Sequence, residues 1–223
     1  MTPPYLEMLE KIAKEVIAPS AAEIDRTGEF PRTALDALGK AGLLGLVGAA
    51  EVGGMGQGHR AAALVVERIA RECASTAMVV CMHYAAAAVI EAHGPREVRE
   101  AIASGRHVTT LAFSEAGSRS HFWAPLSTAI AVSGNGHVQL DAKKSWITSA
   151  GQADSYVWSS RPLGAEGAST IWLVPAQAAG LRPPAGSLRD DLVLDACRSR
   201  LIIGEHHRRS FRDVPSASSS STS

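Results

Sequence analysis

Apolar positions in the first half of the chain recur at helical spacing. In YLEMLEKIAKEVIAP, residues Leu6, Leu9, Ile12, Ala13, Val16 and Ile17 fall on one face, which predicts an amphipathic helix that Pro19 interrupts. Pro31 opens a second helix, PRTALDALGKAG, at the first helical position, where a missing N–H costs least. A Gly-rich connector follows, GLLGLVGAAEVGGMGQG, and then a third helix, HRAAALVVERIARECA, with a polar edge of Glu67, Arg68, Arg71 and Glu72. The fourth helix, from Ser75 to about Ala92, is apolar on nearly all sides, so it belongs at the centre of a bundle. Gly94-Pro95 stops it, and PREVREAIASG forms one more short helix.

Near Gly105 the period changes to two. HVTTLAF, LSTAIAVS, HVQLDAK, SYVWSS and STIWLVP are short, rich in β-branched and aromatic residues, and separated by Gly or Pro clusters. Asn135-Gly136 between two of these runs is a hairpin signal, because both central residues of that turn need positive φ. The expected fold class is α+β: an N-terminal all-α bundle followed by an antiparallel β-barrel or sandwich-like domain. The expected organisation is a helical domain over 1–105, a middle β domain over 106–184, and a divergent, partly disordered tail over 185–223. The tail has weak periodicity and ends in low-complexity SASSSSTS.

Composition narrows the function classes. Lys plus Arg equals Asp plus Glu, 22 of each in 223 residues, so charge gives no reason to expect nucleic acid or an acidic membrane surface. Cys73, Cys81 and Cys197 are odd in number and widely spaced, which suggests neither a disulfide framework nor a metal site and fits a reducing cytoplasm. The N-terminus carries acids and no apolar core of a signal peptide. The apolar run AMVVCMHYAAAAVI is short and Ala-rich for a membrane span, so no membrane insertion is expected. GGMGQG lacks the Gly-Lys-Ser/Thr of a phosphate loop and reads as a connector, and no Gly-x-Ser-x-Gly elbow is present. His206-His207 has no second ligand set, and His83 in the apolar helix reads as a core histidine.

Two segments carry candidate chemistry. In LAFSEAGSRSHFW, Leu111 to Trp123, a strand runs into a cluster of polar donors, an arrangement suited to a polar ring or phosphates. In KKSWITSAGQAD, Lys143 to Asp154, an apolar wedge stands in a turn-like sequence. Trp146 offers a flat face, and Thr148 offers a hydroxyl on the same side if the backbone is extended. Two readings stand: a core Trp with a turn-capping Thr, or a platform for a planar heteroaromatic ligand.

From about residue 5 to 184 the order of features resembles the acyl-CoA dehydrogenase family of flavoproteins. AAEIDRTGEFP resembles the family's first-helix exit, and GLLGLVGAAEVGGMGQG its Gly-rich connector. AFSEAGSRS is similar to its Thr-Glu-Pro-x-Ala-Gly-Ser-Asp strand end, and AKKSWITSAGQADSYVW to its Gly-x-Lys-x-x-Ile-Thr-Asn segment. The resemblance implies an FAD cofactor met by Trp146, Ile147 and Thr148, with Thr148 bonding the ring near N5 and Trp146 covering its edge. It also implies that Leu111, Ala112 and Phe113 lie along the ring, that Ser114 meets the pyrimidine side, and that Ser120 stands near the pyrophosphate and the acyl-CoA substrate. The implied reaction is α,β-dehydrogenation of an acyl thioester, with electrons passing to an electron-transfer flavoprotein. Full-length members are expected to be homo-oligomers.

The chain departs from the family pattern in three places. Ala116 replaces the usual Pro, and Arg119 replaces a Gly that allows close approach to phosphate. His121 replaces the usual Asp. After Pro184 nothing resembles the helical bundle that carries the family's catalytic Glu, so the expectation is a truncated, impaired dehydrogenase with no catalytic residue of its own. The alternatives are a flavin-dependent monooxygenase of the same fold, suggested by His121, and a non-catalytic fragment that binds a partner.

Overall fold

The computed structural model describes residues 3–115, 117–118, 124–132, 137–163, 169–182, 196–204 and 208–209. Helices α1 (Pro4–Ile12) and α2 (Ala18–Thr27) are joined by a π-helical turn, Ala13–Ile17, rather than broken at Pro19. Proline removes a donor and crowds the preceding turn, and the wider π turn absorbs that strain without ending the helix. Ser20 Oγ donates to the carbonyls of Val16 (3.0 Å) and Ile17 (3.1 Å) beside it. Gly28, at φ 70°, caps α2. Then come α3 (Arg32–Lys40), two 3-10 turns (Leu43–Gly45 and Ala50–Val52), α4 (His59–Ala70), α5 (Ala74–His93) and α6 (Arg96–Ala103).

The Gly-rich connector is a packing device. A Cβ on Gly54 would lie 2.2 Å from the Gly48 carbonyl oxygen, and one on Gly45 would lie 2.6 Å from that of Ala103. Its amides are also spent: Met55 N–H donates to Gly45, Gly56 N–H to Gly48, and Gln57 N–H to Leu46. Donors committed to backbone carbonyls cannot cradle a phosphate.

Helix α5 is long and apolar enough, by length and composition, to cross a membrane. Here it is a core helix with Thr76, Ala77, Val79, Val80, His83, Tyr84, Ala86, Ala87 and Ile90 buried. His83 is a satisfied core histidine. Thr109 N–H donates to Nδ1 (3.2 Å), which leaves Nε2–H to donate to the Leu44 carbonyl (2.9 Å). Burial drives its pKa down to about 4, so the ring is neutral.

Among the described residues seven strands follow: β1 (Thr109–Ala112), β2 (Thr128–Val132), β3 (His137–Lys144), β4 (Ser155–Ser160), β5 (Thr170–Pro175), β6 (Ala196–Gly204) and β7 (Arg208–Arg209). They form two sheets, ordered β1-β4-β5-β7 and β2-β3-β6. Residues Val138, Leu140 and Ala142 from one sheet, and Ala112, Tyr156, Trp158, Trp172 and Val174 from the other, share one core. The described strands therefore form a sandwich rather than a closed barrel.

The sheets are not purely antiparallel. β1 pairs with β4 in parallel, Thr109 against Ser155, while the other pairs are antiparallel. A parallel pair requires a long crossover, and here the chain supplies it by passing through β2 and β3 of the second sheet. Alternating side chains look the same in either direction, so the period could not reveal this. The stretch after 184, read as weakly periodic, contributes β6, which runs beside β3 from Ala196 to Gly204. Asn135-Gly136 lies outside the described residues; the flanking strands pair antiparallel, with Val132 opposite His137.

The helical layer and the sandwich share a seam. Ala86, Ala87 and Ile90 of α5 pack with Val157 of β4, and Leu111 and Phe113 lie against them. All six residues of β4 are buried, since it faces the helices on one side and the second sheet on the other.

Candidate functional site

Two segments distant in sequence meet at one end of the sandwich. Ser145 N–H donates to the Ser114 carbonyl (2.9 Å), and Glu115 and Lys144 form an antiparallel bridge. The strand end after β1 is thereby zipped to the turn after β3. Leu111, Phe113 and Ser114 are half-buried along this junction, and the Ala112 side chain is buried in the sandwich core. Ser120 lies outside the described residues, as do Arg119 and His121.

The turn answers the question posed by its apolar wedge by splitting it. Ile147 is 3% exposed and packs into the sandwich core. Trp146 is 50% exposed. Its backbone is left-handed, φ 55°, and Ser149 follows at φ 65°. Left-handed backbone is uncommon outside Gly, Asn and Asp and is a source of strain. It reverses the alternation, so that Trp146 turns outward between buried Ser145 and buried Ile147. The segment is a turn rather than an extended strand, and Thr148, between buried Ile147 and buried Ser149, is half-buried. Ser149 is 2% exposed, and its hydroxyl has no hydrogen-bond partner.

The turn is held in place from several directions. Asp154 N–H donates to the Val108 carbonyl (2.7 Å), and Val108 N–H donates to Asp154 Oδ2 (2.8 Å). Tyr156 Oη accepts from Gly151 N–H (2.8 Å), and Arg32 reaches across from α3 to the Gln152 carbonyl (2.8 Å).

Beneath the turn lies a buried ionic cluster that sequence reading did not find. Lys144 is 0% and Glu115 3% exposed, with Lys144 Nζ 2.5 Å from Glu115 Oε1. Lys144 also donates to the Ser159 carbonyl (2.7 Å) and Ser159 Oγ (3.1 Å), and its ammonium lies 5.3 Å from the centroid of the Trp158 ring. Glu115 accepts from Ser127 Oγ (2.5 Å) and from the amides of Leu126 and Ser127. Burial pushes the Glu115 carboxyl up, but the adjacent Lys144 charge and these hydrogen bonds outweigh it and hold the group below its ordinary value. Burial pulls Lys144 down to about 8 against the pull of Glu115, so both groups are charged at neutral pH. Every lone pair and proton of the pair is engaged, which makes Glu115 a poor proton acceptor. The only sequence signal was two opposite charges 29 residues apart, which is no signal until the strand ends are brought together.

The arrangement fits a planar heteroaromatic group. It presents an outward indole, a half-buried hydroxyl beside it, an orphaned buried hydroxyl at Ser149, and a half-buried apolar strip at Leu111 and Phe113. Among the described residues no cluster of His, Cys, Asp and Glu could hold a metal ion.

A helical layer followed by a β sandwich is the fold of the N-terminal and middle parts of acyl-CoA dehydrogenases. The model of the acyl-CoA dehydrogenase N-terminal domain matches residues 5–105. The mitochondrial short-chain specific acyl-CoA dehydrogenase of Homo sapiens is 30% identical over 218 residues, covering 90% of this chain and 52% of that protein. The short-chain specific enzyme of Clostridium acetobutylicum is 27% identical over 173 residues, covering 74% and 45%. The solved butyryl-CoA dehydrogenase from Megasphaera elsdenii superposes with a TM-score of 0.79 at 17% identity, over 92% of this chain and 57% of that one. The chain belongs to the acyl-CoA dehydrogenase family, and it spans about half the length of the curated relatives it matches.

Proposed function

We propose that this chain forms the flavin-facing part of an acyl-CoA dehydrogenase that works in the cytoplasm, acts on an acyl-CoA thioester and passes electrons to an electron-transfer flavoprotein. The observation that carries this reading is the outward, left-handed Trp146 bordered by the Leu111–Ser114 strand end. When bound, FAD supplies the acceptor for the substrate's β-hydrogen, which leaves as a hydride. Trp146 gives the ring an aromatic border, and Thr148 donates a hydrogen bond to it, worth about 0.5–1.5 kcal/mol net. Leu111 and Phe113 line the apolar part of the ring, and Ser114 serves its polar edge. Ala112 and Ile147 contribute main chain alone, because their side chains are in the core. Ser120 is assigned to the pyrophosphate and the acyl-CoA on the resemblance.

Removal of the α-proton needs a carboxylate over the substrate. Glu115 is already committed to Lys144 and Ser127, so in this reading the base comes from outside the described residues. A missing general base typically costs about 10²–10⁴-fold in rate. The test is titration of the purified protein with FAD, followed by anaerobic dye reduction with short, medium and long acyl-CoAs. Saturable flavin binding with turnover lowered to that degree is expected. Absence of saturable binding would sink the flavin reading, and robust turnover that is lost in FAD-saturated Glu115→Gln while its FAD affinity is unchanged would restore Glu115 as a base.

A further inference from the structure

We propose that Lys144 and Glu115 are positioning residues: their buried ion pair sets the register between the Leu111–Ser114 strand end and the Trp146 turn, and so presents the flavin-facing surface. This rests on the flavin reading for its functional consequence, but not for its geometry. The pair joins four segments. Glu115 follows β1, Lys144 ends β3, Ser127 precedes β2, and Ser159 belongs to β4. It thus crosses from one sheet to the other at the end where the site lies. The site flanks the bridge on both strands: Ser114 precedes Glu115 and its carbonyl accepts from Ser145, and Trp146 stands two residues beyond Lys144.

Ion pairs at full burial are a poor device for stability alone. Desolvation offsets much of the attraction, and well-packed apolar pairs often replace them without loss. What they provide is directional. Glu115 Oε1 meets Lys144 and Ser127 while its second oxygen holds the amides of Leu126 and Ser127. An apolar pair could slide along the interface; this one cannot without stranding a charge. The left-handed turn at Trp146 begins two residues beyond Lys144, so a slip there would redirect the indole.

The test is the double variant E115Q/K144M. Gln keeps an acceptor for the Leu126 and Ser127 amides, Met keeps the volume of the Lys stem, and the Ser127 hydroxyl, no longer claimed by the carboxylate, has the Ser159 carbonyl 2.9 Å away as its acceptor. Two readouts are taken on the whole chain: amide hydrogen exchange over 109–118 and 143–150, and the FAD dissociation constant by visible absorbance. Thermal unfolding and far-UV circular dichroism serve as the fold control. The expected result is a fold close to the parent's, exchange at least tenfold faster in those two segments and not in β4 or β5, and FAD affinity lowered about tenfold. Unchanged exchange and affinity in a folded variant would overturn the proposal. If the double variant does not fold, E115Q alone, which keeps one acceptor oxygen for the Leu126 and Ser127 amides and removes the carboxylate charge facing Lys144, carries the same readouts. If the parent binds no FAD, the flavin reading falls while the exchange data still decide the positioning role.

Discussion

Trp146 and His83 show how a single residue's environment decides its use. Trp146 contributes little to the core because half its surface is exposed, and its backbone is strained. Left-handed backbone costs an L-residue roughly 1–2 kcal/mol, which Gly avoids. Trp146→Gly is therefore expected to change stability to urea by less than about 1 kcal/mol, the relieved strain offsetting lost contacts. The same variant should lose about tenfold or more in FAD affinity. A large loss of stability would mean that the indole packs locally. His83 behaves oppositely. Its pKa is pulled from about 6.5 in the unfolded chain to about 4 in the fold by burial among α5, the Leu44 turn and β1. The unfolded state binds more protons between those values, so this contribution is fully present above about pH 6.5 and is lost as pH falls towards 4. It amounts to roughly 3 kcal/mol at most. Melting curves from pH 7 to 4 should show a shallower decline in His83→Gln than in the parent; equal slopes would mean that His83 is protonated in the fold.

Among the elements, the Gly-rich connector makes the sharpest demand on sequence. Gly54 lies against the backbone of Gly48, where neither chain can move aside. Gly54→Ala should lower stability by about 1–3 kcal/mol or more through overpacking. Gly58→Ala is the control, because a Cβ there meets nothing within 4 Å and the backbone is extended. It should be neutral or slightly stabilising, and thermal midpoints of the two variants distinguish the cases. The connector's composition was legible from sequence as a break between helices. Its close contacts were not, because they pair Gly54 with Gly48 and Gly45 with Ala103, a residue of α6.

For the molecule as a whole, the seam between α5 and β4 makes the helical layer and the sandwich mutually dependent. Val157 fills it from β4, and Leu111 and Phe113 extend it to the candidate site. All four tryptophans come after α6 in the sequence, and Trp146, Trp158 and Trp172 belong to the β layer, whereas far-UV dichroism reports mainly α1–α6. Denaturation followed by the two probes should give one coincident transition. Two separated midpoints would show that the layers fold independently and that the seam contributes little. Val157→Ala should shift both probes together.

The sequence by itself determined most of the elements and their order. Helical spacing marked α1 and α3 to α6, the change of period near Gly105 marked β1 to β5, and the Trp-Ile-Thr and Ser-Glu segments marked where a ligand could sit; α2, continuing past Pro19, and β6 and β7 in the weakly periodic stretch were not legible. These are local properties, set by how side chains alternate along one piece of chain. Only the tertiary structure decided three things. β1 runs parallel to β4 because the chain leaves for the second sheet between them, and alternation carries no direction. Trp146 faces out while Ile147 faces in because the backbone turns left-handed at the end of β3, which no residue type there announces. Glu115 holds Lys144 rather than a substrate proton because two strand ends 29 residues apart converge where water is excluded, and two opposite charges in that setting are stable only as a pair.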